Sequence, residues 1–190
     1  MQLTTGSHGW LSYIASPDWL EEANAIRAAR DQRYGNLYVE NQSDERWVGD
    51  LGEIAFDHWL RENGVDAAEW LREDTAGRAD FIVGNCQIDV KTVKRKVAPR
   101  QDYTAQISAK HKDYPANQLF FISYEIPKKK LWLLGGVNKE EFIRFARYYG
   151  EGEWVHSNYQ IRRGHEIYNG SIARLITPEE WITLLKQGKL

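Results

Sequence analysis

The chain has 190 residues, 25 of them Lys or Arg and 27 Asp or Glu, for a formal net charge of −2; this length suits one domain that buries a core without disulfides. Its single cysteine, Cys86, excludes a disulfide framework and a cysteine-built zinc site, and the absence of a long apolar run or a charged-then-apolar leader points to a cytoplasmic chain with no membrane partner. A near-neutral balance announces no polyanionic ligand, so any such site has to arise from local charge placement.

Residues 1–15 have no clear period and read as an edge strand or a loose segment. Ser16-Pro17-Asp18 reads as a helix start, with Ser as N-cap and Pro at the first helical position. Trp19, Ala23, Ile26 and Arg30 follow at helical spacing as far as Tyr34-Gly35, and Arg27, Arg30 and Arg33 are assigned to a polar outer face, with phosphate contact as the alternative. After a connector over 36–42, Ser43-Asp44-Glu45 opens a second helix that stops at Asn63-Gly64. Leu51, Ile54, Ala55 and Trp59 form its apolar stripe, widened by Phe56 and Leu60. Glu53 interrupts that stripe. A buried acid needs a partner, whether a basic side chain, a capping arrangement with Asp50 or a metal. Gly49 and Gly52 would let the helix approach its neighbour closely.

The stretch Arg78 to Lys91 is the centre of the reading. Phe81-Ile82-Val83 and Ile88-Asp89-Val90 flank Gly84-Asn85, a dipeptide that closes two-residue hairpins. A two-residue turn sets Asp80 across from Asp89 with Cβ atoms about 5 Å apart, and side-chain alternation puts Asp89 and Lys91 on one face; a four-residue turn over Gly84 to Gln87 shifts the pairing but keeps Asp80, Asp89 and Lys91 on one face. Two carboxylates so placed repel each other. A divalent cation with oxygen ligands at about 2.1 Å answers that repulsion, with Lys91 at the edge of the site. The triplet Asp89-Val90-Lys91 is short enough to recur by chance, and an ordinary solvated ion pair is the alternative; its weight comes from its position on a hairpin strand opposite a second acid. Lys91, Lys94, Arg95, Lys96 and Arg100 fall within ten residues directly after. That cluster reads as a solvated edge or as a phosphate track beside the acids.

Further on, Tyr103 to His111 is ambiguous between strand and helix, and 119–122 and 131–134 are buried strands joined by a lysine-rich turn at 127–130. Asn138 caps a helix reaching Tyr149. The segment 151–171 is polar and glycine-punctuated, and Thr177-Pro178 opens a last helix with Trp181, Leu184 and Leu185 inward.

A helix bearing Glu53, a strand preceded by Asp80, a strand bearing Asp89-Val90-Lys91, two more strands and a helix follow one another in that order. This resembles the PD-(D/E)XK nuclease superfamily over roughly residues 43–137, with Ala79 in place of the proline of the motif's name. The resemblance implies an α/β fold with a restriction-endonuclease-like core, a mixed central sheet of about four to five strands flanked by helices. It implies one domain, with a core over about 43–149, an N-terminal helical extension over 1–42 and a C-terminal extension over 150–190. Implied too are catalytic Glu53, Asp80, Asp89 and Lys91, with Mg²⁺ or Mn²⁺ held by Asp80, Asp89 and the Val90 carbonyl. Glu53 would bind a second metal or hold a metal-bound water, and Lys91 would orient or help deprotonate the attacking water. Lys94, Lys96, Arg100 and Gln106 would contact double-stranded DNA. The implied activity is that of a metal-dependent DNA endonuclease, and a cleft that acts on one strand at a time implies a homodimer for double-strand cutting. A junction-resolvase-like nuclease and a non-catalytic DNA- or protein-binding relative are the alternatives. The size and the strand–helix unit after Leu134 look similar to phage and prokaryotic endonuclease-like proteins, which places the chain in a prokaryotic cytoplasm, encoded by the cell or by a phage.

Overall fold

A computed structural model describes residues 3–34, 46–72 and 78–190. The expected connector over 36–42, the helix start at 43–45 and most of the loop before the hairpin lie outside these residues. In chain order the elements are β1 (Thr4–Thr5), β2 (Leu11–Ile14), α1 (Pro17–Tyr34), α2 (Trp47–Glu62), β3 (Glu69–Trp70), β4 (Phe81–Val83), β5 (Cys86–Arg95) and β6 (Thr104–Ser108). They continue as β7 (Gln118–Glu125), β8 (Lys130–Asn138), α3 (Lys139–Phe145), β9 (Arg147–Tyr149), β10 (Trp154–His156), β11 (Tyr159–Gln160), β12 (Ile167–Ser171) and α4 (Pro178–Lys186). Among the described residues no helix is long and apolar enough to cross a membrane.

The fold is α/β. Its main sheet is mixed, with seven strands in the order β1-β2-β8-β7-β5-β4-β3, rather than the four to five expected. The added strands are short pairings that carry no long alternating run. β2 joins antiparallel to β8 through Leu11↔Leu133 and Tyr13↔Leu131, and β1 folds back on β2. At the other edge β3 pairs β4 through Trp70↔Phe81. β5 and β7 run parallel over Ile88↔Gln118 to Arg95↔Glu125. A parallel pair needs a crossover, and here the crossover includes β6, which leaves the main sheet and joins β12 and β9 in a separate three-stranded sheet.

Each face of the main sheet is covered by its own core. On one side α1, α2 and α4 pack Ile26, Leu51, Phe56, Trp59 and Trp181 against Phe81, Ile88, Val90 and Phe120. The rings of Phe56, Trp59, Phe120 and Trp181 meet at centroid distances of 4.7–6.2 Å, so truncation of Phe56 removes several contacts at once and costs about 3–5 kcal/mol. On the other side Leu119, Phe121, Leu134 and Val137 meet Phe142 of α3 and Ala105 and Ile107 of β6. Gly52 does permit the close approach its position suggested: a Cβ there would lie 1.7 Å from Oγ1 of Thr92 on β5, whereas Gly49 faces open space.

The caps follow their chemistry. Ser16 Oγ accepts from the amide of Trp19, and Asn138 Oδ1 accepts from the amides of Glu140 and Glu141. The helix after Asn138 ends at Phe145 instead of Tyr149, because Arg147–Tyr149 pair with β12. Edge pairing available only in three dimensions outweighs the local helical pattern there.

Candidate functional site

The hairpin has the register that a two-residue turn requires, with Phe81↔Ile88, Ile82↔Gln87 and Val83↔Cys86. Gly84 takes a φ of +58° at the first turn position, where a type II′ turn needs glycine. Asn117 fastens the hairpin from below: its Oδ1 accepts from the Gln87 amide and its Nδ2 donates to the Asn85 carbonyl. Where β4 begins, the ladder gives way to a side chain. The amide of Val90 donates to Oδ2 of Asp80 at 2.7 Å. A strand residue directs its N–H and C=O to the same side, so the Val90 carbonyl faces the Asp80 side as well.

Asp89 is 5% exposed, and both its oxygens are engaged. Lys91 Nζ lies 2.6 Å from Oδ1, and His111 Nδ1 lies 3.0 Å from Oδ2. Burial opposes the charge of Asp89, but Lys91 and the hydrogen bond from His111 outweigh it and hold the carboxyl at about 2. An ionised carboxylate can only accept, so the Nδ1–H of His111 is the donor. Burial likewise works against the charge of Lys91, and Asp89 and then Asp80 overcome it, raising its pKa. Lys91 is therefore an ammonium and a hydrogen-bond donor at neutral pH. His111 is set in place by the short helical turn Ala109–Asp113. Buried Lys139 clamps that turn by donating to the carbonyls of His111, Lys112 and Tyr114.

Glu53 is 6% exposed, and its partners are basic and aromatic side chains. Arg30 forks onto both oxygens at 3.0 and 2.8 Å, and the indole N–H of Trp70 donates to Oε2 at 3.0 Å. Arg30 also reaches Asp50, which Arg27 grips in a second fork at 2.8 and 2.9 Å. The outer-face assignment of Arg27 and Arg30 is thus corrected. Both turn inward, because two acids on α2 are buried and guanidinium forks from α1 supply their positive charge. A capping role for Asp50 falls as well, since α2 starts at Trp47 with Arg46 in the cap position.

Asp80 is the acid left with a negative surplus. Burial, then the fields of Glu53 and Asp89, push its carboxyl well above the usual range, and Lys91 with the Val90 amide offsets this only in part. Among the described residues no three of His, Cys, Asp and Glu converge as a ready-made metal cage. The donor chemistry nevertheless fits a hard divalent cation: carboxylate oxygens of Asp80, Asp89 and Glu53 beside a backbone carbonyl, with excess negative charge on Asp80. In the present arrangement the Lys91 ammonium supplies the positive charge on Asp89.

Strand alternation divides the basic cluster. Lys91 and Arg95 share one face of β5, Lys94 falls on the other, and Lys96 lies past the strand end. Arg100 is exposed and paired with Asp102 at 2.7 Å. Gln106 sits on β6 opposite Asn169 and shares a cavity with Lys91. His111, Trp70 and Lys139 escaped the sequence reading and Arg30 was turned to the wrong face, since each meets its partner from 17 or more positions away in the chain. For Glu53, the requirement for a buried partner was a usable signal.

No family model matches the chain. No curated protein and no solved structure matches it either.

Proposed function

We propose that the protein is a metal-dependent DNA endonuclease that hydrolyses phosphodiester bonds at Glu53, Asp80, Asp89 and Lys91. The observation that carries this reading is the gathering of three carboxylates about one strand end: Asp80, just ahead of β4, accepts the Val90 amide beside buried Asp89, and the fields of buried Glu53 and of Asp89 both bear on it. A protein that uses these acids only for stability gains nothing from crowding them, whereas a cation site requires it.

Asp80, Asp89 and the Val90 carbonyl would hold Mg²⁺ or Mn²⁺, with Glu53 sharing its remaining lone pairs between the site and Arg30. A divalent cation bound there supplies Lewis acidity toward phosphate oxygens and lowers the pKa of water. Lys91, as a charged donor, orients the water or a phosphate oxygen and stabilises the negative charge carried by the phosphoryl oxygens in the transition state. His111 keeps Asp89 ionised and fixes its orientation. Arg30 and Trp70 hold Glu53 at the site.

Cleavage of supercoiled plasmid with Mg²⁺, Mn²⁺ or EDTA tests the proposal. Wild type is expected to nick or cut only with metal, and folded Asp89→Ala and Lys91→Ala to lose that activity. A four-way junction beside linear duplex of the same sequence separates a general endonuclease from a junction-selective one. Metal-independent cutting, or cutting that survives both substitutions, would refute the assignment. Metal binding by calorimetry without any cutting would point to a binding module.

A further inference from the structure

A cavity of about 410 Å³ opens beside Lys91, between the main sheet and the three-stranded sheet. Its floor is apolar, formed by Phe121 and Leu134 of the main sheet with Ala105 of β6. Gln106 and Asn169, directly opposed on β6 and β12, place two amides side by side on one wall. Arg95 lines it from β5, with its guanidinium 4.5 Å over the Tyr103 ring and one nitrogen donating to the Thr104 carbonyl. His156 and Tyr159, from the hairpin of β10 and β11, line it as well.

Nε of Arg95, a donor, and Oδ1 of Asn169, an acceptor, are buried in this lining and lack a hydrogen-bond partner. The Thr92 hydroxyl is unpartnered too, but it is turned toward Gly52 on the α2 side of the sheet. The guanidinium of Arg95 and the paired amides of Gln106 and Asn169 give the lining both donors and acceptors, a set that matches a ligand which accepts at one edge and donates at another. None of the lining residues is acidic, and Lys91 and Arg95 are both cations. A planar heterocycle with mixed donors and acceptors, attached to an anionic group, has that chemistry. Amide side chains read the edges of such rings in pairs, while aromatic rings and guanidinium planes stack on their faces.

We propose that this cavity is a nucleobase pocket, which receives an unstacked base of the bound strand while the adjoining phosphate lies toward Lys91. The location beside Lys91 rests on the nuclease reading; the pocket's preference for a base rests on Arg95, Gln106 and Asn169 alone. Removing a base from its stack for inspection or chemistry is a recognised cost that a shaped pocket offsets.

The test uses the full chain and two probes. Saturation-transfer NMR with the four deoxynucleoside 5′-monophosphates is expected to mark base protons, with deoxyribose 5-phosphate as the base-free control that fails to compete. Asn169→Leu, which fills the pocket and removes the acceptor, is expected to weaken binding by about tenfold or more. Gln106→Ala at an exposed position serves as the second variant if Asn169→Leu does not fold. Single strands carrying 2-aminopurine are expected to brighten on binding wild type but not Asn169→Leu, because unstacking relieves quenching. Mononucleotide binding without that brightening would overturn the strand origin and assign the pocket to free nucleotides. Absence of base contacts and of brightening, in protein whose circular dichroism is that of the folded chain, overturns the proposal. Plasmid cleavage measured on the same preparation keeps the two readings apart: cutting without base binding rejects only the pocket, and base binding without cutting rejects only the nuclease.

Discussion

Asp50 is fully buried and Asp80 half-buried, burial lifts the pKa of each and Glu53 bears on both, yet their partners differ. Asp50 is fully buried and receives two guanidinium groups, Arg27 in a fork and Arg30 at 2.5 Å. Asp80 accepts one backbone amide and lies in the negative fields of Glu53 and Asp89, which Lys91 offsets only in part. The first cluster is neutralised by its own helix pair and ties α1 to α2. In the second, Lys91 and the Val90 amide offset the acids' fields only in part, and this is the imbalance that the proposed cation would answer.

Substitutions can break this contrast, and the largest effect is expected on activity. Asp89→Ala and Lys91→Ala should each lower metal-dependent cleavage by about 10²–10⁴-fold or more, read as initial nicking rates, while far-ultraviolet circular dichroism remains that of wild type. Next is the structural cluster. Arg30→Ala leaves two buried carboxylates short of a partner and should cost about 3–5 kcal/mol in urea unfolding. Arg30→Lys should recover only part of this, because an ammonium cannot fork onto both acids.

Asp80→Asn should act in the opposite sense. The folded pKa of Asp80 lies above its unfolded value of 3.8, so between the two the folded chain binds a proton that the unfolded chain does not. Stability therefore falls as pH rises through that window, and each unit of elevation corresponds to about 1.4 kcal/mol. The substituted amide keeps an acceptor for the Val90 N–H without the charge. The variant should be more stable than wild type at neutral pH without metal, and Mg²⁺ should raise the thermal midpoint of wild type but not of the variant. Asp89 has the reverse slope, with its contribution present above 3.8 and lost as pH falls through about 2; Asp89→Asn should flatten that acid limb of the unfolding profile. The smallest effect belongs to Arg100→Ala, whose exposed partner is Asp102: the urea midpoint should not move measurably.

The local signals in the sequence were strongest where neighbours in the chain do the work. The turn chemistry of Gly84-Asn85 gave the hairpin register, and the periodicity of Leu51, Ile54, Phe56 and Trp59 gave the buried face of α2. The same logic placed Ser16 and Asn138 as caps. Residues 147–149 went the other way, since a helical pattern cannot report that β12 offers a sheet edge.

The sequence by itself therefore determined the caps, the hairpin and the juxtaposition of Asp80 with Asp89 and Lys91, because these depend on spacing, turn geometry and strand alternation within a few residues, while the α/β class was implied by the resemblance that the order of elements carries. Tertiary structure alone decided that Arg27 and Arg30 face inward, that His111 and Lys91 share Asp89, that Trp70 and Arg30 hold Glu53, and that Gln106 and Asn169 line one cavity. Most of these contacts join residues 17 or more apart in the chain, brought together when α1 packs on α2 and the β5–β7 crossover folds over the sheet. Local pattern sets which face of an element is apolar. Which charged side chains must cross to a buried acid depends on the energy of desolvating that acid, and this is fixed only once the layers have closed.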